Sequence, residues 1–374
     1  MAPGRWIVTE DGLRSLVRLL VAQGYTVIGP QLRDGAIVCG PITELDDLPR
    51  GWGDEQEAGS YCLRKRDDDA WFGYTTSPHS AKRYLFPERE KLGDAQRNEG
   101  RVSWSAAAEK KPPYAFFGLR PCDARAIAVQ DRIFLGQKIP DSAYKRRRSE
   151  ALIIVAQCRE AGHTCFCSSM HSGPRAIDDF DIALTEIIAG SEHFFICEEG
   201  SARGAPLISS VATREATSAE WQGALACTAH AEGMMGRRLA AETVHDLLSH
   251  SYESSHWDDV ATRCLSCTNC TMVCPTCFCS GIEDVSGLEP DHAERWRRWS
   301  SCFECEFSHI HGCVVRPDTR SQYRQWLTHK LGTWQDQFGM SGCVGCGRCI
   351  TWCPVGIDIT EEIRAIEIGQ ARGC

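Results

Sequence analysis

A chain of 374 residues with 43% apolar content is long enough for two domains and can bury a real core, and its net charge of −9 excludes nucleic acid as the main partner, since phosphate binding needs a basic face. Twenty-two cysteines exclude a small secreted disulfide scaffold and point to bound metal in a reducing compartment, hence to a cytoplasmic protein. The opening MAPGRWIVTEDGLRSL is acidic where an export signal would be basic, and no stretch reaches the ~20 apolar residues that span a bilayer.

Leu13, Leu16, Val17 and Leu20 follow helical spacing and predict a short amphipathic helix. Short β-branched or aromatic runs then alternate with Gly, Asp and Pro: 26–29, 36–39, 60–65 and 71–75 read as strands. The runs at 114–119, 151–157, 180–187 and 193–199 continue them, with a helix expected over 123–134. The basic run Lys145-Arg146-Arg147-Arg148 reads as a solvated loop. An α+β or α/β domain is therefore expected over 1–232. From 233 the period changes to a helical one, which predicts an all-α second domain over 233–374. Tyr323, Trp326, Leu327, Leu331, Trp334 and Phe338 form a helical face that starts at Pro317-Asp318, and Asp358 with Glu361 suits the cap of a last helix with Ile359, Ile363 and Ile366 inward.

Within that second part lie Cys264, Cys267, Cys270 and Cys274 before Pro275, and Cys343, Cys346, Cys349 and Cys353 before Pro354. Each run reads C-x2-C-x2-C-x3-C-P, the bacterial ferredoxin spacing for a [4Fe-4S] cube. Three close thiolates wrap one cube from a short loop, and in two-cluster ferredoxins the fourth reaches across to the other. Cluster 1 is then held by Cys264, Cys267, Cys270 and Cys353, and cluster 2 by Cys343, Cys346, Cys349 and Cys274. Zinc knuckles, which use paired C-x2-4-C motifs, do not have this spacing. The two runs stand 69 positions apart (343 − 274) with helices expected between, as in α-helical ferredoxins rather than compact ones.

Cys122, Cys158, Cys165 and Cys167 flank predicted strand ends and are candidates for a third metal site, an iron–sulfur cluster ahead of zinc; the alternative is buried free thiols, which pack as small hydrophobes. Cys277 and Cys279 repeat the tetrapeptide TCFC of 164–167 without a place among the eight ligands, and are read as packing or tuning groups or as redox thiols. Cys302, Cys305, His309, His311 and Cys313 have zinc-like content in a segment expected to be helical, at a spacing that fits no standard finger. Cys39, Cys62, Cys197, Cys227 and Cys374 are scattered singly. No dinucleotide, P-loop, nucleophile-elbow or zincin motif is present, so electron carriers stand without an obvious substrate site.

The stretches 263–279, 342–359, 116–127 and 164–174, with 27–38 and 82–90, resemble the family formed by the β subunits of sulfhydrogenases and the corresponding iron–sulfur subunits of anaerobic sulfite reductases. That resemblance implies a dicluster protein that relays electrons between two partners, a NiFe hydrogenase or sulfite reductase subunit on one side and a flavin- and nicotinamide-binding subunit on the other, with two [4Fe-4S] clusters and no catalytic residues of its own. All eight ferredoxin cysteines carry over, as do Cys122, Cys158, Cys165 and Cys167. Cys305 and Cys313 match no family pattern. An alternative function is a sulfur-converting or thiol–disulfide oxidoreductase built on Cys165, Cys167, Cys277 or Cys279 beside a cluster, and a zinc-stabilised interaction module is a further one.

Overall fold

The computed structural model describes residues 4–107, 112–190, 192–287 and 291–373. Its centre is an eight-stranded sheet in the order Arg214–Glu215, Arg5–Val8, Glu192–Glu199, Ile182–Ala189, Leu152–Ala156, Tyr114–Leu119, Thr26–Arg33, Ala36–Ile42. Four neighbouring strands, from Ile182–Ala189 to Thr26–Arg33, run parallel, and the flanking pairs are antiparallel. The parallel strands are continuous apolar runs because both faces are covered. Phe117, Ile154 and Leu184 point to a core closed by the helices Glu10–Ala22 and Gly204–Val211. Their neighbours Phe116, Ile153 and Ala183 point the other way, against Pro121–Phe134 and Ser142–Glu150.

Most of the expected strands and helices of the first part form within one or two residues of their predicted ends. Segment 71–75 does not become a strand, although Trp71 and Phe72 are buried. Side chains satisfy its backbone instead of a ladder: the amides of Trp71 and Phe72 donate to the Glu186 carboxylate at 2.7 and 3.0 Å, and that of Thr75 donates to Asp54 at 2.6 Å. The run 145–148 lies within the helix Ser142–Glu150 rather than a loop. Arg147 is buried there, paired with Glu90 and donating to the Leu85 carbonyl at 3.0 Å, and Arg148 pairs with Asp131 at 2.9 Å.

The expectation of an all-α, α-helical-ferredoxin-like second domain is overturned. Between the cysteine runs the strands Ser280–Ser286 and His292–Trp299 pair antiparallel, and the second of them pairs with Arg89–Asn98 of the first part. Together with Arg101–Ala106 they make a four-stranded sheet, and a small hairpin joins His309–Ile310 to Cys313–Val314. The helical period misses these strands because much of their outward surface is polar and held by cross-strand ion pairs, Arg295 to Asp284 at 2.7 Å and Arg298 to Glu283 at 2.6 Å, so they show little apolar alternation. The protein is mixed α/β throughout, with strands from either side of residue 232 in one sheet.

Thr319–Thr328 and Trp334–Phe338 form the expected helical face around a π-helical turn at His329–Thr333, started by Asp318, whose carboxylate accepts from the Ser321 amide at 2.7 Å. The last helix, Ile359–Gly373, buries Ile359, Ile363 and Ile366. Among the described residues no helix is long and apolar enough to cross a membrane.

Candidate metal centres

The two ferredoxin runs fold as matching loops. Ser266 and Thr268 take left-handed backbone conformations, φ 48° and 67°, and Gly345 and Gly347 take the same at the equivalent positions of the second run, φ 61° and 74°. A left-handed residue reverses the curl of the chain, so each loop turns its sulfurs inward. In each the third residue's amide donates to the first cysteine's sulfur, Ser266 to Cys264 at 3.4 Å and Gly345 to Cys343 at 3.3 Å. The Ile357 amide donates to Cys353 at 3.3 Å. Such N–H donors to sulfur are among the contacts that set cluster potentials.

Cys264, Cys267, Cys270 and Cys353 line one apolar cavity with Phe303 and Trp326. Burial, then the neighbouring sulfurs of Cys264, Cys353 and Cys267, push the Cys270 thiol well up. Burial, then Cys343, Cys346 and Cys274, do the same to Cys349. Cys349 also lines the first cavity, and Cys270 stands close enough to Cys274 to be affected by it, so the two sets adjoin.

The spacing of these thiols does not suit a single ion. A tetrahedral zinc with Zn–S bonds of ~2.3 Å holds its sulfurs ~3.8 Å apart. Among the described residues no three sulfurs or imidazole nitrogens come within 4.8 Å of one another. In the trio that does, Asp94, His292 and Glu294, the two carboxylates hold the Lys91 ammonium, at 2.8 Å from Asp94 and 2.5 Å from Glu294.

Sequence reasoning missed the two buried lysines of the second set. The π-helical turn at His329–Thr333 carries Lys330 inward, where its ammonium donates to the Cys274 sulfur at 3.3 Å, the Thr276 hydroxyl at 3.2 Å and the Gly342 carbonyl at 3.2 Å. Lys82 is also buried, with its ammonium 3.3 Å from the Cys277 carbonyl and 3.7 Å over the Trp299 ring. A hydrogen bond from Cys277, and then the Lys330 charge, hold Cys274 well below the ordinary thiol range, as a ligating thiolate requires. A lysine in a helical stretch reads as solvated, so only the π turn reveals it.

Lys330→Met should therefore leave the iron content unchanged and lower the reduction potential of one centre. A unit charge ~4 Å away at an effective dielectric constant of about 20 is worth about 4 kcal/mol. At about 2.3 kcal/mol per 100 mV for each charge, and with the added electron spread over a whole cube, the expected shift is on the order of 100 mV. An EPR-monitored redox titration reads it, and an unmoved potential would count against Lys330 as the tuning group.

Every described cysteine is free. Cys122, Cys158, Cys165 and Cys167 line one further cavity. The Cys279 thiol is held down at about 7, first by a hydrogen bond from Cys302. The zinc-like group of 302–313 is not brought together: Cys302 turns to Cys279, Cys305 accepts from the Gln322 amide at 3.6 Å, and Cys313 is exposed in the hairpin, which is not helical. Cys39 and Cys227 are half-buried, Cys62 is exposed and Cys197 is buried in the main core; Cys374 lies outside the described residues.

Residues 263–357 match the family described as 4Fe-4S dicluster domain. Sulfhydrogenase 2 subunit beta of Pyrococcus furiosus is 27% identical over 335 residues, which cover 86% of this chain and 95% of the relative. No solved structure matches the chain. With its paired cysteine loops, a 4Fe-4S dicluster domain over 263–357 and a likeness to a sulfhydrogenase β subunit along most of its length, the chain has the features of an iron–sulfur electron-transfer subunit.

Proposed function

We propose that the chain relays single electrons between two partners, a catalytic subunit of the NiFe-hydrogenase or sulfite-reductase type and a flavin- and nicotinamide-binding subunit, through two [4Fe-4S] clusters. Cys264, Cys267, Cys270 and Cys353 hold the first and Cys343, Cys346, Cys349 and Cys274 the second. A cube bound by such thiolates takes up and returns one electron without a change of ligands. The protein's own part is to fix the sulfurs, donate N–H groups to them and keep water out with Phe303, Tyr323 and Trp326.

The observation that carries this reading is that the two thiol sets adjoin through Cys270, Cys274 and Cys349 while one of them reaches the surface. Cys267 is exposed, and beside it Leu265 is 62% and Val355 40% exposed, an apolar rim over the first set. That rim is the port at which a partner exchanges electrons. Leu265→Asp should slow electron exchange with the copurifying partner by tenfold or more while iron content stays the same. Stopped-flow reduction by the partner reads the effect, and an unchanged rate moves the port elsewhere. Partners retained on anaerobic affinity purification distinguish the hydrogenase from the sulfite-reductase assignment.

A further inference from the structure

We infer that Cys122, Cys158, Cys165 and Cys167 hold a third iron–sulfur cube, set beyond the second one as the inner end of the relay. The inference rests on the two-cube reading and extends it.

Placement comes first. Tyr114–Leu119 and Leu152–Ala156 are adjacent parallel strands, and the chain leaves both at the same edge of the sheet. Cys122 sits in the first turn of the helix that follows one strand, and Cys158 two residues beyond the end of the other. Ligands of open α/β sheets bind outside the carboxyl ends of the strands, in this position. The loop 164–167 then brings Cys165 and Cys167 to the same cavity, which all four thiols line with Thr75 and Arg120.

Packing alone does not account for the group. Cys122, Cys165 and Cys167 are 4%, 6% and 5% exposed, which suits free thiols acting as small hydrophobes. These thiols, however, come from three separate segments to one narrow cavity, and they share it with the buried Arg120 and with Glu160. Arg120 is 2% exposed, and its guanidinium donates to the carbonyls of Thr75 at 3.1 Å, Phe72 at 3.0 Å, Ala156 and Tyr74. Among the described residues no carboxylate pairs with it: Asp54 is near enough to feel its charge but is engaged by Thr75 and Gln56, and Glu160, which lines the same cavity, is engaged by Arg66 at 2.7 and 2.9 Å. A buried charge is ordinarily neutralised by a partner, and a cube carrying four thiolates is anionic, so it supplies the missing counter-charge. Single zinc is disfavoured here as in the other sets, because no three of the sulfurs lie within 4.8 Å of one another.

The order of the relay follows from the contacts. The Phe166 amide donates to the Gly345 carbonyl at 2.9 Å, and a Cβ on Gly345 would stand 2.7 Å from the Cys167 Cα, so the second ferredoxin loop lies directly on the 164–167 loop. Cys346 is near enough to affect both Cys122 and Cys167. The thiol sets thus run in series from the exposed Cys267, through the second set, to the buried third. An electron leaving the second cube is taken up by the third, one oxidised as the other is reduced, with no bond made and no proton moved.

The test is iron, acid-labile sulfide and zinc per chain on the full chain purified anaerobically, as wild type, as Cys165→Ser/Cys167→Ser and as Cys197→Ser. The wild type should hold about twelve iron and twelve sulfide, the double variant about eight, and the Cys197 control about twelve. About eight iron in the wild type, or one zinc that the double variant loses, overturns the third cube and leaves the two-cube reading standing. No iron at all sinks both. If the double variant fails to fold, the wild-type count decides, supported by a second cube's EPR signal broadened through spin coupling on its inner side; an unbroadened signal with eight iron overturns the proposal.

Discussion

Cys346→Ser is expected to cost the protein one cube and the whole relay. Cys346 is 8% exposed and sits where two thiol groups meet: its loop belongs to the second set, and it lies near enough to Cys122 and Cys167 to affect both. A serine hydroxyl is a harder and far less acidic ligand than a thiol, and the nearby Arg348, which favours the anion at this position, does not close a gap of that size. Iron should fall by about four atoms per chain. The first set keeps Cys264, Cys267, Cys270 and Cys353, so its own EPR signal should survive while electron transfer through the chain drops to background. Unchanged iron in this variant would sink the ligand assignment, and loss of both signals would mean that the two sets assemble only together.

Arg348→Met is expected to destabilise the fold by about 3–5 kcal/mol, the usual cost of removing one partner of a buried ion pair. Arg348 is fully buried within the second ferredoxin loop, and its guanidinium lies 2.8 Å from the Asp123 carboxylate and donates to the Ser77 carbonyl. Asp123 belongs to the helix Pro121–Phe134, next to Cys122, so the pair pins the second loop to the sheet's own helix. Without the arginine, Asp123 remains as an uncompensated buried carboxylate. The double variant Asp123→Asn/Arg348→Met removes that penalty and should recover part of the loss. Urea unfolding of both variants measures the coupling, and a single-variant loss below about 1 kcal/mol would show that the pair does not hold the two parts together.

How much of this is legible in the sequence depends on whether a residue's role shows in its own neighbourhood. The parallel strands 114–119 and 151–157 are readable because burial on both faces makes them apolar without interruption. The two cysteine runs are readable as a pattern because loop closure around a cube would fix such spacing. Ser280–Ser286 and His292–Trp299 are not, since polar outward positions erase the alternation on which strand reading relies, and their partner Arg89–Asn98 lies far back in the chain. Lys330 and Arg120 look like ordinary surface cations in sequence; what sets them apart is a π turn in one case and a ring of backbone carbonyls in the other. Cys122 and Cys158 are recognisable beside strand ends, but their convergence needs the parallel register of two strands, which spacing alone does not give.

The measurement that tests the central claim most directly is an iron, sulfide and zinc count on anaerobically purified Cys274→Ser and Cys353→Ser, each with EPR of the reduced protein. The crossed assignment predicts that each variant loses about four iron and four sulfide, and that each loses a different EPR signal: Cys353→Ser the one that Cys264→Ser also removes, Cys274→Ser the one that Cys346→Ser removes. If Cys274→Ser instead removed the same signal as Cys264→Ser, each run would hold its own cube, and zinc in place of iron and sulfide would contradict the account altogether.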